Sequence, residues 1–250
     1  MSNYSIFFSP TGGTKKAADC LCRSFPNCTE IDLCDTSPDF SQYQFSADDV
    51  CIISVPSYGG RVPQIALQRL RLLHAENTAA IIAAVYGNRD FDDTLLELKD
   101  ELSSVGFRVC AAVAAVAQHS VMPAFGAGRP DSQDQKQLAD FSKQIADSLS
   151  SSKECSVPGS FPYREYHGIP LKPKANSSCK GCGLCAQKCP AQAIDPQNPK
   201  ATDKEKCISC MRCISVCPTH SRRLNPLMLF VASQKMKKSC TTRKENQLFL

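Results

Sequence analysis

Two short cysteine runs with identical spacing constrain this chain more than any other feature. Each run reads C-x2-C-x2-C-x3-C-P, the first over residues 179–190 and the second over residues 207–218. Three thiolates two residues apart can surround one metal centre from a tight loop, whereas the cysteine before proline lies on the next turn and points away. The fourth ligand of each centre must therefore come from outside its own loop.

This double spacing predicts two cubane [4Fe-4S] clusters with crossed ligands. We expect one cluster on Cys179, Cys182, Cys185 and Cys217, and the second on Cys189, Cys207, Cys210 and Cys213. A zinc ribbon needs two C-x2-C pairs for each ion, and it does not explain the fixed third and fourth cysteines. Residues 176–224 resemble the bacterial two-cluster 4Fe-4S ferredoxins, with every ligand position filled.

A glycine-rich turn, Ser9-Pro10-Thr11-Gly12-Gly13-Thr14, follows the first apolar segment and precedes a helical pattern. Helix N-terminal amides and hydroxyl groups suit an anion. The turn is neither a Walker loop nor a G-x-G-x-x-G fingerprint. It resembles the S/T-x-T-G-x-T phosphate loop of flavodoxins, although a plain strand-to-helix turn is the alternative. The resemblance implies that the terminal phosphate of FMN binds at Ser9, Thr11, Gly12, Gly13 and Thr14.

Apolar strands and amphipathic helices alternate through the first 150 residues, which predicts an α/β fold with a doubly wound parallel sheet. The predicted strands are Asn3–Phe8, Thr29–Leu33, Val50–Val55, Ala79–Val85 and Phe107–Ala117. The clearest helices are Gln64–His74, Asp93–Val105 with an Asx cap, and Asp131–Leu149. The flavodoxin resemblance implies five strands in the order 2-1-3-4-5, with the ends of the first, third and fourth strands meeting at one site.

Two loops with aromatic residues and glycines follow the third and fourth predicted strands. We expect Tyr58 to stack on the flavin ring, and Tyr86 or Phe91 to border its other side, although each could be a core residue. Glycine lets the backbone approach the polar edge of the ring. The expected ring contacts are Pro56, Ser57, Tyr58, Gly59, Gly60, Arg61, Tyr86, Gly87, Asn88, Arg89, Phe91 and Asp92.

Arg61 and Arg89 depart from the acidic surroundings that flavodoxins usually give the ring. Positive charge there favours the reduced, anionic flavin and raises its potential, unless the arginines are simply solvated. His119, in a Gly/Pro-rich loop over residues 118–130, is a candidate to donate to the flavin or shuttle a proton. A lone loop histidine can also be incidental, and we assign no catalytic residue.

Four segments are expected: a flavodoxin-like FMN-binding domain (1–152), a linker or strap (153–175), a ferredoxin domain (176–224) and a basic helical tail (225–250). The tail packs on the body or lies on a membrane surface. Residues 1–152 carry a net charge of −6 and residues 153–250 a net charge of +11. Because cluster thiolates are negative, the basic half balances them and faces the acidic half, so nucleic acid is not an expected partner.

The sequence also indicates a cytoplasmic location. The first ten residues lack the basic region of a secretory signal, and no apolar run approaches the roughly 18 residues of a membrane helix. We expect the cysteines outside the two runs to be reduced thiols. They are Cys20, Cys22, Cys28, Cys34, Cys51, Cys110, Cys155 and Cys240.

The order of the parts resembles the bacterial flavodoxin–ferredoxin fusion family, the ferrodoxins. The resemblance implies an electron carrier with FMN and two [4Fe-4S] clusters, which couples one-electron and two-electron redox partner proteins. The alternative is an FMN-dependent reductase of a small-molecule acceptor, such as a quinone or nitro compound, fed by its own clusters. The chain has no pyridine-nucleotide fingerprint, so we do not expect NAD(P)H to bind directly.

Overall fold

The computed structural model describes residues 2–149 and 154–250, and its centre is a six-stranded sheet between helices. The strands are β1 (Asn3–Phe7), β2 (Thr29–Asp32), β3 (Gln44–Phe45), β4 (Val50–Pro56), β5 (His74–Ala75), β6 (Thr78–Tyr86), β7 (Phe107–Val116), β8 (Lys174–Ala175), β9 (Arg222–Arg223) and β10 (Gln247–Phe249). The α-helices are α1 (Gly13–Leu21), α2 (Gln64–Leu70), α3 (Thr94–Ser104), α4 (Ser132–Ser148), α5 (Leu184–Gln187), α6 (Arg212–Ser215) and α7 (Pro226–Cys240).

The strand order of the large sheet is β10-β7-β6-β4-β1-β2. Strands β2, β1, β4, β6 and β7 run parallel, and these five confirm the predicted order 2-1-3-4-5. Every residue of β6 is buried, because α1 and α4 cover one face of the sheet and α2 and α3 the other. The fold is therefore flavodoxin-like α/β, and the carboxyl ends of its central strands form one edge.

The prediction of five strands and a purely helical tail was incomplete. After α7 the chain returns to the sheet, where β10 pairs antiparallel with β7 and Leu248 lies opposite Val113. A three-residue strand is too short to show an alternating pattern, so the sequence did not reveal it. Helix α2 also ends earlier than predicted, because His74 and Ala75 pair with β3 as strand β5.

Asp93 precedes α3 as predicted, but it does not cap that helix. Its carboxylate instead accepts the backbone N–H groups of Ser160 at 2.8 Å and Arg164 at 2.7 Å. These bonds fasten residues 154–173, which we call the strap, to the loop that follows β6. Helix α4, in contrast, begins with a capping box between Asp131 and Asp134.

A buried polar cluster holds the tail against the sheet. Arg129 forms an ion pair with Asp134, and its guanidinium also donates to the Lys244 carbonyl at 2.7 Å. Asn246 accepts the Val116 N–H at 2.8 Å. Within the described residues, no helix has both the length and the apolar composition that crossing a membrane requires.

Candidate cofactor sites

A cavity of about 750 Å³ lies at the carboxyl ends of β1, β4, β6 and β7. One wall is the sheet edge, and the opposite wall comes from the strap, from α7 and from the segment after Cys207. The predicted flavin residues on this cavity are Thr11, Gly13, Thr14, Pro56, Ser57, Tyr58, Gly59, Tyr86, Gly87 and Arg89. The predicted residues that do not line it are Ser9, Gly12, Gly60, Arg61, Asn88, Phe91 and Asp92.

The turn after β1 presents the start of α1 to the cavity through Gly13 and Thr14. Gly12 has φ of +89°, a left-handed conformation that glycine adopts without strain. The Ser9 hydroxyl lies behind the turn, where it accepts the Lys15 N–H at 2.9 Å. Ser9 therefore supports the helix N-terminus, and Thr11 and Thr14 are the hydroxyl residues that reach the cavity.

The loop after β4 is a tight turn from Tyr58 to Arg61, closed by backbone hydrogen bonds in both directions. Gly59 and Gly60 have φ of +63° and +87°, as such a turn requires. A side chain at Gly59 would collide with Tyr166 of the strap, because its Cβ would lie 2.2 Å from that ring. Burial of the Tyr58 hydroxyl raises the Tyr58 pKa well above its usual value.

The structure corrects the expectation for Arg61. Its guanidinium pairs with the buried carboxylate of Glu97, with Nε at 2.9 Å and Nη2 at 2.5 Å from the two oxygens. The same group stacks over the Tyr163 ring at 4.9 Å. Because Glu97 on α3 and Tyr163 in the strap hold it away from the cavity, Arg61 supports the fold and brings no free charge to a flavin ring.

Several residues of the loop after β6 also have structural partners. Arg89 reaches the cavity, but it forms an ion pair with Asp92, which also binds Arg164 of the strap at 2.9 Å. The Asn88 side chain donates to the carbonyls of Cys240 and Thr242 in the tail. Phe91 packs on Tyr86 with ring centroids 5.5 Å apart, so the aromatic residue of this loop that borders the cavity is Tyr86.

His119 lines the cavity next to Gly87. Its Nδ1 accepts the backbone N–H groups of Val121 and Met122, each at 3.2 Å. Burial, followed by the positive charge of Arg89, lowers the His119 pKa to about 4. The imidazole is therefore neutral near pH 7 with its proton on Nε2, so it can donate a hydrogen bond there but is a poor proton acceptor.

The eight cysteines of the two runs surround two small cavities in the predicted crossed groups. One cavity is lined by Cys189, Cys207, Cys210 and Cys213, and the other by Cys179, Cys182, Cys185 and Cys217. Gly183 and Met211 have left-handed backbone conformations at equivalent places, each beginning the short helix that carries the third cysteine of its run. Within the described ranges no three Cys, His, Asp or Glu side chains approach closely enough to hold one metal ion.

The two cavities differ in their position. Ile208 lines both the Cys207 cavity and the large cavity, so we call the former the inner cysteine site. Cys182 is exposed and Cys179 is half-buried, so we call theirs the outer cysteine site. A redox centre in the inner site would therefore lie beside the large cavity, and one in the outer site would lie near the surface.

The thiols of the two sites also differ electrostatically. Burial raises the pKa of Cys210 and of Cys213 in the inner site to about 12. Burial also opposes ionisation of Cys217, but hydrogen bonds from Ser221, the Arg222 N–H and Thr219 lower its pKa to about 6. The inner thiols therefore need a positive centre between them before they ionise near pH 7.

Contacts between the cysteine-bearing segment and the sheet edge lie beside the inner site. Arg212 on α6 donates to the carbonyls of Ser9 at 3.2 Å and Pro10 at 3.4 Å in the turn after β1. Arg69 on α2 donates to the Pro190 carbonyl at 3.0 Å. Beside the inner site the two halves are thus joined by arginine bonds to neutral carbonyls. Ion pairs of the expected kind lie elsewhere between the halves, from Arg164 to Asp92 and from Arg243 to Asp131 and Asp134.

The residues that sequence reasoning missed come from distant segments. The opposite wall of the cavity is built from Tyr166, Ile169, Pro170, Leu171, Leu227, Met228, Val231, Ala232, Lys235 and Met236. The apolar positions of the tail indicated that α7 packs on the body, but no local pattern says what it covers. A strap rich in proline likewise carries no signal of its tertiary contacts.

Comparison with known proteins identifies the cysteine-bearing segment directly. Residues 178–222 match the family of 4Fe-4S dicluster domains. The chain is also 34% identical over 64 residues to a trichloroethene reductive dehalogenase of Dehalococcoides mccartyi, and this match covers 20% of the chain. The chain spans only 12% of the length of that relative.

Solved structures similar to this chain include a flavodoxin and an oxidoreductase. A flavodoxin from Bacillus cereus has 15% identity and a TM-score of 0.41, and the match covers 59% of this chain and 98% of that chain. A rubredoxin oxygen:oxidoreductase from Desulfovibrio gigas has 20% identity and a TM-score of 0.41, and the match covers 61% of this chain and 37% of that chain. The strand order of the sheet and the dicluster match together show a flavodoxin-like α/β fold joined to a 4Fe-4S dicluster domain, as in a flavodoxin–ferredoxin fusion.

Proposed function

We propose that the chain is an electron-transfer protein that binds FMN in the large cavity and one [4Fe-4S] cluster in each cysteine site. The observation that carries this proposal is the shared wall at Ile208, which belongs to both the large cavity and the inner site. The clusters would exchange single electrons, whereas a flavin can accept or release one or two. The chain would thus connect one-electron and two-electron redox partners.

The residues of the large cavity fit the two ends of FMN. The start of α1 and the hydroxyls of Thr11 and Thr14 suit a phosphate at one end. Tyr58 and Tyr86 offer aromatic surface for the ring at the other end, and Nε2 of His119 offers a hydrogen-bond donor. The volume of about 750 Å³ lies within the usual range of roughly 300–1,000 Å³ for cofactor pockets.

The residues of the cysteine sites fit clusters as well. Each site gathers four thiols, three from one run and the residue before proline from the other. We infer an order of flavin, inner cluster, outer cluster and external redox protein, because the outer site alone has an exposed cysteine among its described ligands. The cysteines outside the two sites are unbridged thiols, which supports a reducing compartment such as the cytoplasm.

Anaerobic purification with flavin, iron and sulfide analysis tests the cofactor content. We expect one FMN and eight irons for each chain. If the protein shows no flavin absorption bands after reconstitution with FMN, the flavin assignment is contradicted. If it contains only four irons for each chain, the second cluster is contradicted.

The crossed ligands predict where single cysteine substitutions act. Cys189→Ala should damage the inner cluster, whose other ligands are Cys207, Cys210 and Cys213, and Cys217→Ala should damage the outer cluster. Cys155→Ala, which removes a buried thiol outside both sites, is the matched control. Iron content and EPR of the reduced protein report each cluster, and an intact inner cluster in Cys189→Ala would show that the ligands do not cross.

A small-molecule reductase is the second candidate, favoured by the apolar residues of α7 around the large cavity. Leu227, Met228 and Val231 line the cavity but are 71%, 42% and 47% exposed, so an apolar acceptor could reach it there. Turnover with a chemical reductant and a panel of quinones and nitro compounds separates the two functions. Saturable, acceptor-specific kinetics would favour the reductase over the carrier.

A further inference from the structure

Arg222 is a buried cation whose hydrogen bonds all go to neutral groups. Its side chain is 2% exposed. The guanidinium donates to the carbonyls of Pro173 at 3.3 Å, Ala201 at 3.0 Å and Pro199, and to the Thr202 hydroxyl at 2.6 Å. No carboxylate of residues 2–149 or 154–250 forms an ion pair with it. A charge buried in this way needs negative charge nearby, because burial removes the stabilisation that water provides.

The partners of Arg222 place its side chain between the two cysteine sites. Pro173 and Thr202 line the inner site, whereas Pro199 and Arg222 itself line the outer site. Its backbone N–H is directed at Cys217 of the outer site. The guanidinium therefore donates to groups that line both sites.

One donor of this guanidinium is unused by the protein. The Nε atom of Arg222 is buried and has no hydrogen-bond partner among the described residues. A buried N–H without an acceptor costs about 1–3 kcal/mol, so its retention at this place points to a ligand that accepts from it. Sulfur atoms of a cluster are acceptors of this kind, and hydrogen bonds to them raise the reduction potential.

We propose that Arg222 is a counter-charge shared by the two clusters, which raises the reduction potential of both. This inference rests on the proposed function, since it requires both clusters. Each reduction adds one electron from a chemical reductant to one cluster, and no bond forms or breaks. A fixed positive charge between two centres that become more negative stabilises both reduced states.

A higher potential at both clusters has a direct consequence for the dicluster segment. Reducing one cluster makes reduction of the second harder, because the added electrons repel each other. The charge of Arg222 leaves this repulsion unchanged but lowers the cost of adding each electron, so the pair takes the two electrons of a reduced flavin more readily.

The test compares Arg222→Gln with two matched variants. Arg223→Gln removes the same formal charge from the next residue, which is exposed and whose Nε donates to the His220 carbonyl at 3.2 Å. Arg222→Lys keeps the charge but loses the planar fork of donors. Each full-length protein is purified anaerobically, analysed for iron and sulfide, and titrated with dithionite and redox mediators while EPR follows each cluster.

For Arg222→Gln we expect eight irons and at least a tenfold less favourable equilibrium for one-electron reduction of each cluster, a shift of about 59 mV. Arg222→Lys should recover most of the shift, and Arg223→Gln should stay close to the unmodified protein because water screens an exposed charge.

Equal potentials in Arg222→Gln and Arg223→Gln, both fully loaded, would overturn the inference. If Arg222→Gln loses iron, the Arg222→Lys variant distinguishes the two explanations. An Arg222→Lys protein with eight irons and near-normal cluster potentials would support the role of the positive charge. A similar loss of iron in Arg222→Lys would overturn it and show that Arg222 only holds the loops in place. Failure of the proposed function can be told apart from failure of the Arg222 inference. It would appear as missing iron or sulfide in the unmodified protein, and it would remove both proposals together.

Discussion

At the scale of single residues, partners decide whether a charged group can act on a cofactor. Arg61 and Arg89 both lie in loops at the predicted flavin site, but their partners differ. Glu97 holds Arg61 away from the cavity, whereas Asp92 is shared by Arg89 and Arg164, which both line it. Positive charge at the cavity therefore comes from Arg89 and Arg164, and Arg61 contributes none. The Nδ1 atom of His119, in contrast, accepts two backbone N–H groups, and the imidazole stays neutral near pH 7. Because the folded protein resists protonation of this group, acid lowers the stability of the fold.

The depressed pKa of His119 predicts a loss of stability in mild acid. The unfolded chain binds a proton near pH 6.5 and the folded chain only near pH 4, so stability falls as pH decreases between these values. Between pH 7 and pH 5 we expect the free energy of unfolding to fall by about 2 kcal/mol more than in His119→Gln. Urea midpoints at the two pH values measure this, with exposed His167→Gln as the control. Equal acid sensitivity of the unmodified protein and His119→Gln would contradict it.

At the scale of secondary structure, the tail has two separate structural roles. Helix α7 covers the large cavity, and β10 extends the sheet beyond β7. Asn246 connects them to the body, since it accepts the Val116 N–H and donates to Asp134 at 3.1 Å and Gln137 at 2.8 Å.

Asn246→Ala tests the attachment of the tail. The change leaves the buried Val116 N–H unpaired and removes a donor from the buried Asp134 carboxylate, so we expect a loss of about 1–3 kcal/mol in the free energy of unfolding. Gln247→Ala, at the exposed neighbouring position, should change stability by less than about 0.5 kcal/mol. Urea unfolding of the two variants measures the difference, and similar midpoints would argue against the anchoring role.

The sequence predicted those elements whose signal is local. The buried strands read as continuous apolar runs, and their alternation with helices was enough for the confirmed strand order. Strand β10 was missed because pairing with β7, across more than 130 residues, defines it rather than its own pattern. Three other features also depend on partners far away in the sequence and were missed for the same reason. They are the wall made by the strap and α7, the bond from Arg212 to the Ser9 carbonyl, and the position of Arg222 between the two cysteine sites.

At the scale of the whole molecule, one apolar cluster joins the loop after β7, the strap, the cysteine-bearing segment and α7. Its buried members are Val121, Met122, Leu171 and Met211. Beside it, Arg212 connects α6 to the turn after β1. The large cavity and the inner cysteine site are thus parts of one packed unit, and their separation is set by side-chain packing.

Arg212→Ala should slow electron transfer between flavin and inner cluster without removing either cofactor. The change deletes the hydrogen bonds to the Ser9 and Pro10 carbonyls, and small displacements between reacting centres can cost about tenfold or more in rate. Flash reduction of the flavin, followed at cluster wavelengths, measures the rate. Arg23→Ala, at an exposed position, serves as the control. An unchanged rate in a fully loaded Arg212→Ala protein would show that this contact does not set the distance.

The pairing of β10 with β7 makes the cysteine-bearing segment an insertion between two neighbouring strands of one sheet. A segment tethered at both ends explores far less volume than one on a single linker, so its redox centres stay at high effective concentration beside the large cavity. Large swinging motions of this segment are correspondingly restricted. A protease cut in the strap would leave the segment attached through β10, and the two redox sites would remain together after the chain is nicked.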